Sequence, residues 1–152
     1  TLPCVAAFMR STTPLLSVAL DESPTAEDIS VVAQGMRRHA LTEIDGEESP
    51  PIACFARVDR VVVGGIVGRI IRRRMFVELL WVEENRRGQG LGTSLLQSME
   101  RVAGERDCRD MMLETLSGAA ARLYEAAGYR LVAQVPDYIP GFAKRVLLKS
   151  LA

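Results

Sequence analysis

The sequence predicts an α/β domain in which helices pack on a central mixed β-sheet. Three observations carry this. From Ile52 to Val82 the chain is almost entirely β-branched and aliphatic, broken only at Asp59-Arg60 and Arg72-Arg73-Arg74. Directly after Val82 the apolar residues change to the three-and-four spacing of a helix. Short strand-like and helix-like segments then alternate along the rest of the chain.

Leu15 to Leu20 reads as a first short strand, stopped by Asp21-Glu22-Ser23-Pro24. Ser23 or Thr25 can cap a helix running to about Ala40. Ile29, Val32, Ala33 and Met36 are spaced for one apolar face, with acids in the first turn and Arg37 and Arg38 in the last. Thr42 to Pro51 is a polar, acidic loop. Ile52–Val58, Val61–Ile71 and Met75–Val82 form an antiparallel meander, and Gly64, Gly65 and Gly68 mark a bulge or close backbone approach. Leu91, Leu95, Leu96, Met99, Val102 and Ala103 place a helix of three to four turns. Met111 to Thr115 is a strand, parallel to Met75–Val82 and reached by a right-handed crossover. Ser117 caps a helix through Ala127, and Gly128 is placed for its left-handed end. Tyr129–Val135 and Ala143–Leu151 are two last strands around a turn at Pro136–Gly141.

Composition removes several classes of function. The 152 residues are 48% hydrophobic and 25% charged, the balance of a chain that buries a core, which rules out disorder and fibrous rods. The longest weakly polar run, Val61 to Gly68, is far short of the roughly 18 residues of a spanning helix, so no membrane association is expected. Nineteen basic and nineteen acidic residues cancel, which argues against a nucleic-acid partner. The cancellation hides an asymmetry. Residues 1–50 hold Arg10, Arg37 and Arg38 against eight acids, a net of −5, so residues 51–152 carry +5. Cys4, Cys54 and Cys108 are far apart and His39 is the single histidine, so no metal site is expected and reduced thiols point to the cytoplasm.

The segment Arg86-Arg87-Gly88-Gln89-Gly90-Leu91-Gly92-Thr93 carries the chemistry. It follows a strand and opens a helix. Three glycines in five residues let the backbone turn its N–H groups inward, and the helix N-terminus adds a positive pole. That is a site for an anion such as a diphosphate. A Walker loop needs Gly-Lys-Ser/Thr, and the only lysines are Lys144 and Lys149. A dinucleotide fingerprint needs Gly-x-Gly-x-x-Gly/Ala, and both frames fail at Thr93 and Leu95, although Asp107 lies where a ribose-binding acid would.

The pattern that fits is Arg/Gln-x-x-Gly-x-Gly/Ala, and here the chain resembles the GNAT superfamily of acetyl-CoA-dependent N-acetyltransferases. Leu80-Trp81-Val82 stands five residues before Arg87, where the family's fourth strand ends. Ala120 to Tyr129 resembles the family's A-x-x-L-Y-E-x-x-G-F/Y segment. The resemblance spans Leu15 to Leu151. It implies a single domain over 15–152 after an extension over 1–14, with a mostly antiparallel sheet splayed between its fourth and fifth strands, Met75–Val82 and Met111–Thr115. Acetyl-CoA would lie in that splay. Backbone amides from Arg87 through Gly88, Gln89, Gly90, Leu91 and Gly92 to Thr93 would hold its diphosphate. Backbone groups of Leu80 and Val82, beside Trp81, would bind the pantetheine arm and polarise the acetyl carbonyl. Ser117 stands where many members have Asn; its hydroxyl can bond the cofactor arm or simply cap a helix. Tyr124 occupies the position of a tyrosine that donates to the CoA sulfur. A homodimer is common among relatives, and the acceptor is an amine of a small molecule or a peptide.

Acetyl transfer needs an unprotonated amine, charge stabilisation at the carbonyl oxygen and a proton for the departing sulfur. Glu78, a carboxylate among apolar strand residues, is the first candidate base. Simple alternation puts it on one face with Phe76, Leu80 and Val82, and Trp81 on the other with Met75, Val77 and Leu79. Its structural alternative is a salt bridge to Arg69. Glu114 ranks second as base. His39 reads as an exposed helix end, Trp81 as core, and Arg72-Arg73-Arg74 as a solvated turn. Glu43, Asp45, Glu47 and Glu48 would favour a cationic acceptor if they line the cleft. A non-catalytic CoA-binding module on the same fold is the alternative function.

Overall fold

The structure is a computed structural model describing residues 16–151. The expectations for 1–14, Cys4 and Leu15 lie outside these residues. The chain divides into two compact units, Thr1–Arg38 and His39–Ala152.

In the first unit residues 16–20 are irregular, not a strand, and Leu16, Val18 and Leu20 are exposed. A strand is stable only through a hydrogen-bonded neighbour, and these five residues pair with none. Helix α1, Ala26–Glu43, is capped by Thr25 rather than Ser23. The Thr25 hydroxyl accepts from Asp28 N–H at 3.1 Å and donates to the Asp28 carboxylate at 2.7 Å. The helix outruns the expected end at Ala40. His39 therefore lies inside it, 3.3 Å from Glu43 one turn on, and is not a terminal cap. Ile29, Val32 and Met36 are exposed.

The second unit holds the sheet. Its strands are β1 (Ile52–Val58), β2 (Val61–Ile71), β3 (Arg74–Val82), β4 (Asp110–Thr115), β5 (Arg130–Ile139) and β6 (Phe142–Ser150). They lie in the order β1-β2-β3-β4-β6-β5. All neighbours are antiparallel except β3 and β4, whose parallel pairing requires the crossover through helix α2, Leu91–Glu105. Helix α3, Gly118–Ala126, joins β4 to β5. Gly128 takes φ +93° just beyond it, as its position predicts. The last turn is confined to Pro140-Gly141, the end of the expected Pro136–Gly141, because β5 carries on past Pro136 through an irregularity between Val135 and Ile139.

The core lies between the sheet and helices α2 and α3. Leu95, Leu96, Met99 and Ala103 recur on one face of α2 and meet Ile66, Met75, Met111, Leu113 and Leu147 of the sheet, with Tyr124 and Tyr129 closing the cluster. Each such aliphatic side chain contributes about 1.5–3 kcal/mol on leaving water.

The turn arginines are not merely solvated. Arg72 donates to the carbonyls of Ile44 and Asp45, and Arg73 donates to that of Asp107 at 3.0 Å. Arg74 grips Asp110 with two hydrogen bonds, 2.5 and 2.7 Å, tying the first residue of β3 to that of β4. Hydrogen bonding from Arg74 holds the Asp110 carboxyl below the usual carboxylate range, against the opposing effect of burial. A lowered folded-state pKa gives stability that is complete above the ordinary value and lost as pH falls through the folded one. Asp110→Asn should therefore cost about 2–3 kcal/mol near neutral pH. Urea titrations at stepped pH should show that gap closing in acid as Asp110 takes up its proton; a gap independent of pH would assign the loss to packing.

Candidate active site

The site begins where β3 and β4 stop pairing. Only Arg74, Met75 and Phe76 have partners on β4, namely Asp110, Met111 and Met112. Beyond them β3 continues to Val82 and β4 to Thr115 with no further pairs. The register of β3 against β2 slips at the same place, Val67 facing Leu79 and Gly68 facing Val77, so Glu78 is the extra residue of a bulge. Gly68 is required there. A Cβ on it would meet the Phe76 carbonyl oxygen at 2.6 Å and the Met75 sulfur at 2.9 Å.

The bulge overturns the simple alternation. Met75 is in the core and Val77, Leu80 and Val82 pack against it, so the inward face changes from odd to even numbers across Glu78. Glu78 is exposed and does not share the face of Leu80 and Val82. Trp81, expected in the core, is 51% exposed, and Leu79 is 64% exposed.

Backbone directions follow from one hydrogen bond. Glu83 N–H donates to the Val63 carbonyl on β2 at 2.9 Å. Successive residues of a strand direct their backbone groups to opposite edges, so those of Val82 and Leu80 point away from β2, into the gap. The Val82 carbonyl indeed accepts from Arg87 Nε on that side, at 3.0 Å.

Two cavities flank the splayed strands. One, of about 680 Å³, is lined by Leu80, Trp81 and Val82 of β3, by Arg86, Arg87, Gly88, Gly90, Leu91, Gly92 and Thr93, and by Ser117, Ala119, Ala120, Leu123 and Tyr124. Gly88 and Gly90 have φ of +71° and +82°, and a Cβ on either would meet nothing within 4 Å. They are glycines for conformation, and the concave side stays open. Gly90 caps α2 without a side chain, and the first intrahelical bond recorded there is Ser94 N–H to Gly90. The amides of Leu91, Gly92 and Thr93 are therefore free to face an anion. Arg86 is neutralised by Glu83 at 3.2 Å, leaving Arg87 as the cation at the rim. Gln89 does not line the cavity; its amide donates to the Asn85 carbonyl at 3.3 Å.

Ser117 does cap α3, accepting from Ala120 N–H at 3.1 Å, while it also borders the cavity. Tyr124 has a buried ring packed 6.1 Å from that of Tyr129. Its hydroxyl has no hydrogen-bond partner among the described residues, yet no buried side-chain oxygen is left unsatisfied among them. The hydroxyl therefore reaches open space, and Tyr124 borders this cavity. Burial pushes its pKa above that of an ordinary phenol, so it holds its proton through the neutral range.

The second cavity, of about 650 Å³, contains Glu78. Arg69 stands 3.0 Å from Glu78 and 3.6 Å from Glu48, so the expected ion pair is present and Glu48 of the acidic loop reaches the site. Across from them Glu114 pairs with Lys144 at 2.5 Å, and Lys144 lies 5.0 Å from the centre of the Tyr138 ring. Phe76, Met112 and Leu116 supply apolar wall. Three carboxylates face two cations here. Glu43, Asp45 and Glu47 do not line this cavity. Ala119, Ala120 and Leu123 were legible only as part of a longer motif. Phe76, Met112, Tyr138 and Lys144 carried no local signal, since they converge from separate strands.

The cavity beside the glycine loop fits a CoA-type ligand: open amides at a helix N-terminus for a diphosphate, strand backbone groups for an amide-bearing arm, and a phenol on its wall. Among the described residues no group of three or more His, Cys, Asp or Glu is placed to hold a metal ion.

Comparison with known proteins agrees with this geometry. Residues 18–129 match the model of the acetyltransferase (GNAT) family. Over 100 residues the chain is 40% identical to blasticidin-S acetyltransferase of Streptomyces morookaense, covering 65% of this chain and 72% of that protein. A crystal structure from Agrobacterium tumefaciens, described as that of an acetyltransferase, superposes with a TM-score of 0.79 at 26% identity, covering 89% of this chain and 99% of that one. An aminoglycoside 6′-N-acetyltransferase complexed with coenzyme A shares the fold at a TM-score of 0.59 and 20% identity, over 67% of this chain and 73% of that one.

Ser117 offers a direct check on local structure. Ser117→Ala should lower stability by about 1 kcal/mol, and Ser117→Asn, another good cap, should recover most of it. Equal thermal unfolding of all three proteins would show that the cap is not used.

Proposed function

Because the chain belongs to the acetyltransferase (GNAT) family, we propose that it transfers an acetyl group from acetyl-CoA to the primary amine of a cationic acceptor, both substrates being bound at once. The observation that carries this reading is the parting of β3 and β4, which leaves the backbone of Leu80 and the N–H of Val82 without a strand partner beside a partnerless Tyr124 hydroxyl. Acetyl-CoA supplies the thioester. The amides of Gly88 to Thr93 and the Arg87 guanidinium bind its diphosphate, and Leu80 and Val82 align its arm as a further strand would.

The acceptor occupies the cavity of Glu48, Glu78 and Glu114, whose surplus of negative charge favours an ammonium. Glu78, directly or through a water, takes the proton from that ammonium, giving the lone pair that forms the new C–N bond. The Val82 N–H donates to the acetyl oxygen as charge develops there. Tyr124 gives its phenolic proton to the sulfur as the C–S bond breaks. The raised pKa of Tyr124 suits a donor that must arrive protonated.

Residues 15–152 form the catalytic domain in this reading, with 1–14 as an extension, in a cytoplasmic homodimer. The exposed apolar side chains of β5 and β6, among them Val135, Tyr138 and Phe142, support self-association, and the free thiols of Cys54 and Cys108 support a reducing compartment. Among the described residues no helix is long and apolar enough to cross a membrane. One observation favours a non-catalytic CoA-binding module instead: Glu78 is engaged by Arg69. A CoA-release assay against a panel of amines and peptides decides between them, with blasticidin S as the first acceptor to try. No release with any amine, despite CoA binding, would favour the module.

Tyr124→Phe should lower kcat by about 10²-fold or more while acetyl-CoA KM changes little; a loss confined to KM would make Tyr124 a binding residue. Glu78→Gln should depress the rate most near neutral pH and recover partly as alkali deprotonates the amine. Cationic acceptors should be favoured over neutral ones, and the advantage should shrink as salt rises.

A further inference from the structure

A third cavity, of about 740 Å³, lies at the end of the sheet remote from the glycine loop, where β3 and β4 begin. Its chemistry is unlike that of the other two. Arg74, Arg109, Arg130 and Lys149 all border it, with Asp110 as the carboxylate on its wall. The sheet itself gathers them. Arg74 pairs in register with Asp110, Asp110 with Ser150, and Arg130 with Leu148, two residues before Ser150.

Both Asp110 oxygens are already taken. Arg74 holds each of them, and Arg109 Nε lies 3.2 Å from Oδ2. Lys149 is spoken for by Glu100, at 2.8 Å. Four cations thus stand against two carboxylates, and two positive charges are left over. The Arg130 side chain makes no hydrogen bond or ion pair among the described residues, and the Arg109 side chain, touching Asp110 through Nε, is 63% exposed. The whole chain has no net charge, so this surplus is local. Gathering like charges around a concave surface is unfavourable until an anion joins them.

We infer that this cavity binds a small phosphate-bearing anion. Two surplus charges suit a multiply charged anion, and guanidinium forks from separate parts of the chain match the several oxygens of a phosphoryl group. The volume is within the range of small-molecule sites. Asp110 acts as a scaffold that orients Arg74 and Arg109, leaving Arg109 and Arg130 to contact the ligand. This site is independent of the acetyl-transfer reading, since it shares no lining residue with either cavity used there.

The test is equilibrium binding of pyrophosphate at constant ionic strength, with and without saturating CoA to fill the glycine loop. Wild type should bind pyrophosphate in both cases. The double variant Arg109→Gln/Arg130→Gln should bind at least tenfold more weakly. Arg57→Gln/Arg101→Gln, with the same loss of charge elsewhere, should bind as wild type does. Equal weakening in both doubles would reduce the effect to bulk charge and overturn the proposal. Loss of all pyrophosphate binding when CoA is present would overturn it too, placing the probe at the glycine loop. Should the first double variant fold poorly, Arg130→Gln alone, which has no partner to lose, should still weaken binding several-fold; unchanged binding would sink the inference.

Discussion

Two parallel strands that share three register pairs and then part set the terms for everything else in this domain. Backbone N–H and C=O groups are normally satisfied inside a sheet, and leaving them bare among apolar side chains is costly. β3 bears this over its second half because a bulge at Glu78 turns it from the line of β4 and opens its edge to a cavity. The backbone groups of Leu80 and the N–H of Val82 are then left without a strand partner, while the Val82 carbonyl is held by Arg87. They are available to a ligand that can act as a strand. The bulge exists because Gly68 lets β2 approach closer than any side chain would allow.

Around this gap the charges are sorted by position. The glycine-loop end has helix amides and Arg87, with Arg86 offset by Glu83. The cavity on the other side has three carboxylates to two cations, and the far end of the sheet has a cationic excess. A chain with no net charge thus presents local surfaces of opposite sign. Only one member of the acidic loop, Glu48, takes part at the site, brought there by a bridge between Glu48 and Ile71 that extends the edge of β2.

Much of the fold was legible because its signals are local. The β-branched run with two polar interruptions marks three strands, and the observed β1 and β2 have the expected bounds. Ser117 and Gly128 mark the ends of α3 because capping is a short-range hydrogen-bonding matter. The segment from Leu15 failed for the complementary reason: a strand-like pattern states a capacity to pair, and no partner edge takes up residues 16–20. The expected faces of Trp81 and Glu78 failed through one shared assumption, since a single bulged residue exchanges the two faces of everything after it.

The sequence by itself determined the α/β class, the glycine loop that frees the first amides of α2, and the two motifs that ally the chain with an acetyltransferase family. These depend on backbone conformations and spacings that neighbouring residues impose on one another. Tertiary structure alone decided which side of β3 each residue faces, that Arg69 stands between Glu48 and Glu78, and that Lys144 and Tyr138 reach the same cavity from the C-terminal hairpin. It also gathered Arg74, Arg109 and Arg130, from three separate strands or their approaches, around one concavity. Such groupings rest on strand order and register, which are set by packing across the whole sheet and leave no trace in any short stretch of chain.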